Sequence, residues 1–140
     1  MPIAPIAWGE LIDKITILEI KSVKIASESA RANVVKELRL LQTVADTIAG
    51  GEISSLQSEL RAVNSALWTI EDAIREKERR KEFDAAFIEL ARSVYACNDR
   101  RSLIKRKINE ILRSEIVEEK SYGDDAAGVP AAPFTGGPRS

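Results

Sequence analysis

The chain has 140 residues, with 21 basic and 22 acidic side chains, no histidine and one cysteine. Its length suits one domain rather than two. This composition excludes an intrachain disulfide, a histidine-based catalytic triad, a Cys/His zinc site and the Glu-x-x-His di-iron motif, so we expect neither a metal nor another cofactor. The formal net charge of −1 provides no field that would attract nucleic acid or an anionic membrane. Neither is therefore an expected partner.

The amino-terminal residues give no sign of export or membrane insertion. No basic flank precedes the apolar residues among positions 1–8, and nowhere do about 18 apolar residues run together. A single unpaired cysteine fits a reducing compartment. We expect a cytoplasmic protein.

Glycine and proline divide the chain into helical segments. Prolines stand only near the two ends, and the only glycines between residues 10 and 120 are the adjacent pair Gly50 and Gly51. Apolar residues at alternating steps of four and three predict a first helix over about 10–27, which is apolar on nearly every side and should be the most buried. They predict a second helix over about 30–49, ended by a left-handed cap at Gly50.

Two longer helices follow. The third is predicted to begin at a capping box, with Ser54 as the cap and Gln57 reaching back to it. After a turn near residues 82–84, the fourth helix continues the same spacing. The two apolar stripes consist of Leu56, Leu60, Val63, Leu67, Ile70 and Ile74 on the third helix, and of Phe83 or Phe87, Leu90, Val94, Cys97, Arg101, Ile104, Ile108 and Ile111 on the fourth.

These elements predict an all-α fold, a helical bundle of about four helices with a long antiparallel C-terminal hairpin over about 55–115. The two shorter helices are expected to pack along the hairpin. We expect one domain over residues 1–120. Residues 121–140, rich in Gly, Pro, Ala, Asp and Ser, are expected to be disordered. The regular heptads resemble those of a coiled coil and suit pairing between chains, so a homodimer is a plausible state.

A row of polar residues lies beside the core stripe of the hairpin, and Arg101 falls inside the stripe itself. If the hairpin turns near residue 83, residue numbers that face each other sum to about 166, which places Arg101 near Asn64. It also places Asn98 near Trp68 and Tyr95 near Glu71. The whole candidate band consists of Asn64, Trp68, Glu71, Arg75, Arg92, Tyr95, Asn98 and Arg101.

Two interpretations of this band remain open. A buried guanidinium needs carboxylate or carbonyl partners, with Glu71, Asp72 and Asp99 as the candidates. In one interpretation, the band is a structural network that fixes helix register. Alternatively, the arginines bind a carboxylate or phosphate of a small anionic ligand, with aromatic rings as a wall. In that case Glu71 is the carboxylate that burial would tune for acid/base work.

Several blocks of the chain resemble a bacterial family of short proteins of unknown function. They are the opening Trp8-Gly9-Glu10-Leu11-Ile12-Asp13-Lys14-Ile15-Thr16-Ile17-Leu18-Glu19-Ile20-Lys21, the segments 64–75 and 87–95, Asn98-Asp99-Arg100-Arg101, and 117–122. The resemblance implies a bacterial, cytoplasmic, helical protein. It implies no activity, ligand or catalytic residue.

Two classes of helical enzyme fit the residues poorly. Helical chorismate mutases place an arginine three residues before an Ile-Asp pair, where this chain has Gly9. All-α nucleotide pyrophosphohydrolases hold magnesium with Glu-Glu-x-x-Glu, where Arg75 takes the third position. The sequence therefore favours a helical protein that acts by self-association or by binding another protein. A binding protein or enzyme for a small anionic metabolite, built on the candidate band, is the alternative.

Overall fold

A computed structural model describes residues 1–48 and 50–113 of the chain. These residues form four α-helices without a strand among them, which confirms the predicted all-α class. The helices are α1 (Trp8–Lys24), α2 (Glu28–Ala45), α3 (Gly51–Arg79) and α4 (Ala85–Ile111). The predicted tail over 121–140 and the predicted end of the hairpin near 115 lie outside the described residues.

The ends of two helices differ from the prediction. Helix α2 ends at Ala45 and not at a cap on Gly50, and α3 already begins at Gly51, so the capping box expected at Ser54 is absent. Gly50 instead precedes α3 with a φ of 141°, a conformation that an L side chain rarely adopts. The glycine pair thus starts α3, because it permits the backbone to change direction there without a steric clash.

The turn between α3 and α4 lies where the sequence predicts it. Lys81 adopts a left-handed conformation with a φ of 54°, and the backbone N–H of Glu82 donates to the carbonyl of Lys77, which closes the end of α3. Asp84 then caps α4, since its Oδ1 accepts from the backbone N–H of Phe87 at 3.0 Å. The two long helices therefore form the predicted antiparallel hairpin.

Lys77 joins the two sides of this turn. Its Nζ lies 2.9 Å from Asp84 Oδ2 and 3.1 Å from Glu82 Oε2. These hydrogen bonds raise the pKa of Lys77, with the bond to Asp84 as the larger cause, and lower the pKa of Asp84 below its ordinary value. The turn is thus held by charged hydrogen bonds as well as by its backbone.

Helix α1 lies at the centre of the fold. It contacts α2, α3 and α4. Eight of its 17 residues are buried, compared with six of the 29 residues of α3, as its apolar sequence predicts. Helix α2 contacts α1 alone among the described helices, so the expectation that both short helices pack along the hairpin is wrong for α2. The reason is geometric: α1 occupies the hairpin, and α2 packs on the opposite side of α1.

Two apolar clusters follow from this arrangement. One joins Ile12 of α1 to the hairpin, and the other joins α1 to α2. The first consists of Ile12, Ile53, Leu56, Leu60, Val63, Leu67, Ile104 and Ile108, with Cys97 among the half-buried residues packed on it. The second consists of Leu11, Ile15 and Ala45.

The far half of the hairpin has no such cover. Leu67 is the last buried residue of α3, Ile104 is the first buried residue of α4, and none of residues 68–103 between them is buried. We call residues 68–98 the arm; its two helical segments extend about 20 Å past the core at a rise of about 1.5 Å per residue. Within the part of the chain that the structure describes, the hairpin therefore has a base packed on α1 and an arm that contains no buried residue.

Candidate functional site

The side of α1 that faces the hairpin carries polar residues around the buried Ile12. They follow at steps of about three, so they wind gradually around the helix and span about half of its circumference. The other side of α1, with Leu11, Ile15 and Leu18, is buried and faces α2 in part. The hairpin-facing polar residues are Gly9, Glu10, Asp13, Thr16 and Glu19.

Asp13 is the centre of a buried network that ties α1 to both long helices. It is 1% exposed, and its Oδ1 accepts from Arg101 Nε at 2.8 Å and from Asn64 Nδ2 at 2.9 Å. Its Oδ2 accepts a second hydrogen bond from the Arg101 guanidinium. Asn64 Nδ2 also donates to Thr16 Oγ1 at 2.8 Å. Both carboxylate oxygens and both amide hydrogens therefore have partners.

A second group of contacts fixes the amino-terminal end of α1 against α4. The backbone N–H of Gly9 donates to Asn109 Oδ1 at 2.7 Å. The N-cap residue of α1 is Ala7, whose side chain accepts no capping hydrogen bond. Asn109 thus caps α1 from another helix. One turn away, the Nζ of Lys105, a buried residue, lies 2.7 Å from Glu10 Oε2.

Gly9 makes this close approach of the helices possible. A Cβ added there would lie 2.5 Å from the carbonyl oxygen of Lys105 and 2.9 Å from Asn109 Oδ1. Distances this short require the backbone of α4 to move. At the other end of α1, Arg61 Nε donates to Glu19 Oε2 at 2.6 Å, and this hydrogen bond raises the pKa of Arg61.

This network holds three helices together. The bidentate arginine pair and the amide donor occupy both oxygens of the Asp13 carboxylate, which lies away from solvent. Removing Arg101 would take away the charged partner of a buried carboxylate. The network therefore selects one register of α1 on the hairpin, which is the structural interpretation of the odd arginine.

The structure brings two of the eight candidate residues together as the hairpin geometry predicts. Asn64 and Arg101 bind the same oxygen of Asp13. The expected carboxylate partners of Arg101 are corrected, however. Asp13 on α1 takes that place, because α1 crosses the hairpin at this level, while Glu71 and Asp72 lie near Arg75 on their own helix.

The other candidates lie along the arm. Trp68 and Asn98 are half-buried, whereas Glu71, Arg75, Arg92 and Tyr95 are exposed. The Glu71 side chain is 51% exposed, so it lacks the burial that the expected acid/base role requires. Arg92 lies 4.0 Å from Glu89 of the same helix. Arg75 and Arg92 thus lie near carboxylates of their own helices, whereas Arg101 binds Asp13 of α1.

The sequence contained a signal for the missed residues. Glu10, Asp13, Thr16 and Glu19 recur at constant steps of three along a mostly apolar helix, and polar residues in its buried part, such as Asp13 and Thr16, require partners from another element. The partners themselves, Arg61, Lys105 and Asn109, depend on how α1 crosses the hairpin. That crossing has no local sequence signature.

The exposed side of α4 is the second notable surface. Ile88, Tyr95 and Leu103 are 53%, 64% and 60% exposed. They lie on the side of α4 opposite its core stripe, and the charged residues Arg92 and Asp99 stand between them. We call these five residues the outer face of α4. Single exposed apolar residues are ordinary, but here three lie along the same side of one helix.

Fold and site together define a class: a small helical bundle in which a buried ion pair locks the first helix to the base of a long hairpin. The chain belongs to the Family of unknown function (DUF6165), whose model matches residues 3–135. No curated protein and no solved structure matches it. None of the described helices is both long and apolar enough to cross a membrane. Among residues 1–48 and 50–113, no three acidic or cysteine side chains are grouped as metal ligands would be.

Proposed function

We propose that this protein acts by binding another protein chain through the arm of its hairpin. The observation that carries the proposal is that none of residues 68–103 is buried. Helices α3 and α4 are thus divided into a base with a buried core and an arm without one. A two-helix hairpin covers only one side of each apolar stripe, so its half-buried residues gain cover when another helix packs on them.

The arm carries the side chains that such a contact uses. Ile88 and Tyr95 are exposed along α4, and Phe83 and Phe87 pack edge to face at the turn with ring centres 5.3 Å apart. Aromatic and large aliphatic residues supply most of the binding free energy in protein interfaces. The arm thus combines reach, apolar contact area and freedom from the core.

The metabolite alternative has weaker support in the same residues. Arg75 and Arg92 are exposed and lie near acidic residues of their own helices, and Arg101 binds Asp13 in the base. A site for a small anion would gather such groups around one cavity. For the protein-binding function we infer a reducing, cytoplasmic setting in a bacterial cell, in which the single thiol of Cys97 stays reduced.

The test is site-specific photo-crosslinking in cells. A photoreactive amino acid at Tyr95 is expected to give one discrete adduct, while the same residue at Ser58, exposed on the base of α3, gives none. The adduct should disappear when Ile88→Glu is added, because a charge in the contact opposes burial. No adduct at Tyr95, or equal adducts at both positions, would contradict the proposal.

A further inference from the structure

We propose that the partner of the arm is a second copy of this chain, bound antiparallel through the outer face of α4. This inference rests on the proposed function and names its partner. It is carried by the arrangement of two opposite charges and three apolar residues along one side of the helix.

The five residues form a continuous line. Steps of four, three, four and four from Ile88 to Leu103 keep them within about 80° of one another around the helix axis. The core stripe of α4, which includes Arg101, lies on the opposite side, and Lys105 and Asn109, which contact α1, lie to one flank. A second helix can therefore approach this line without displacing α1 or α3.

The line is complementary to itself when a copy is turned around. With a two-fold axis between Tyr95 and Ala96, Arg92 of one copy faces Asp99 of the other, and Ile88 faces Leu103. The two Tyr95 rings then lie side by side at the axis. Each contact occurs twice, as an isologous interface requires. A parallel pairing would place Arg92 opposite Arg92 and Asp99 opposite Asp99, and this repulsion selects the antiparallel arrangement.

The charges and the apolar area suit this contact. The Arg92 side chain is 73% exposed, and its ion pair with Glu89 spans 4.0 Å, so it can turn to a partner at small cost. Ile88, Tyr95 and Leu103 together expose on the order of 300 Å² of side-chain surface per copy. A stable complex buries about 800 Å² per partner, and the stems of neighbouring charged side chains and the half-buried arm residues supply the remainder.

Charge exchange tests the pairing in the purified full-length protein. Sedimentation equilibrium is run on the unmodified chain, Arg92→Glu, Asp99→Arg and the variant with both changes. Each single change turns two attractive contacts into repulsive ones, and we expect the dimer dissociation constant to rise about tenfold. The double variant restores both contacts with reversed signs and should return to within about twofold of the starting value.

Lys36→Glu is the matched control, since it reverses an exposed charge on α2, which contacts only α1 among the described helices, and it should leave the dissociation constant unchanged. Circular dichroism confirms that each variant keeps its helices. A monomeric unmodified chain, or singles without effect, or a double variant that stays weakened, would overturn the inference.

The crosslinking experiment separates this failure from failure of the proposed function. An adduct at Tyr95 with twice the mass of the chain supports the second copy. An adduct with a different protein overturns the second copy and leaves the arm as a docking element. The absence of any adduct contradicts both.

Discussion

Replacing Arg101 with methionine is the sharpest test of the buried network. The substitution keeps much of the side-chain volume but removes both hydrogen bonds to Asp13, whose carboxylate is 1% exposed. Among the described residues, Asn64 continues to donate to it. A buried charge that loses its partner destabilises a protein by about 3–5 kcal/mol, and we expect Arg101→Met to lower the free energy of unfolding by that amount at neutral pH.

The assay is equilibrium unfolding in urea, followed by far-ultraviolet circular dichroism. Arg100→Met is the control, because Arg100 is the residue next to Arg101 on α4 but forms an exposed ion pair, 3.8 Å from Glu59 of α3. That pair should contribute at most about 1 kcal/mol. The contrast between adjacent arginines isolates burial from charge, since both variants lose one positive charge.

A third variant distinguishes charge from packing. Asp13→Leu combined with Arg101→Met removes both charges, so no uncompensated carboxylate remains, and we expect it to regain most of the stability lost by Arg101→Met. If Arg101→Met loses less than about 1 kcal/mol, or if the double variant is no better than the single one, the buried network does not lock α1 as argued.

Three further predictions concern the helix contact and the turn. Gly9→Ala should lower the free energy of unfolding by about 1–3 kcal/mol in urea titrations, because the new Cβ would lie 2.5 Å from a backbone oxygen of α4. Gly51→Ala should instead stabilise α3 by about 0.5–1 kcal/mol, because a Cβ added at Gly51 meets no atom within 4 Å. Lys81→Gly should raise the melting temperature through a gain of about 0.5–1 kcal/mol, since Lys81 has a φ of 54°, and Lys81→Ala should give no gain. Lys77→Met should return the pKa of Asp84 towards its ordinary value of about 3.9 in an NMR titration, and an unchanged pKa would contradict the ion pair.

The sign of the pH dependence at the turn follows from these shifts. The folded-state pKa of Asp84 is lowered, so its contribution to stability is present above the ordinary carboxyl pKa and is lost as the pH falls through the folded value. The pKa of Lys77 is raised, so its contribution is present below the ordinary lysine pKa and is lost as the pH rises through the folded value. Between the two ranges the turn is fully paired.

The hairpin was predictable because its information is local. Apolar steps of four and three define its two stripes, and a short turn forces antiparallel packing, which also placed Arg101 beside Asn64. The position of α2 was not predictable in this way. Its apolar stripe shows that it packs on something but does not distinguish α1 from the hairpin.

The partner of Arg101 shows the same limit. A buried arginine requires a carboxylate nearby, but the hairpin pattern indicates carboxylate partners for Arg101 on α3 and α4 alone. Asp13 is 88 residues away in the sequence and reaches Arg101 because α1 crosses the hairpin there. Contacts between distant elements depend on a crossing angle that side-chain packing sets, and no local pattern encodes it.

Shortening the arm tests the central claim most directly. Deleting residues 68–74 and 92–98 removes one heptad from each helix of the arm and keeps the heptad register. It leaves the turn and every buried residue of the base in place. The account predicts a chain that still unfolds cooperatively with its helical base, because no buried residue is lost, and that sediments as a monomer at concentrations where the full chain is dimeric. A shortened chain that fails to fold, or one that remains dimeric, would contradict it.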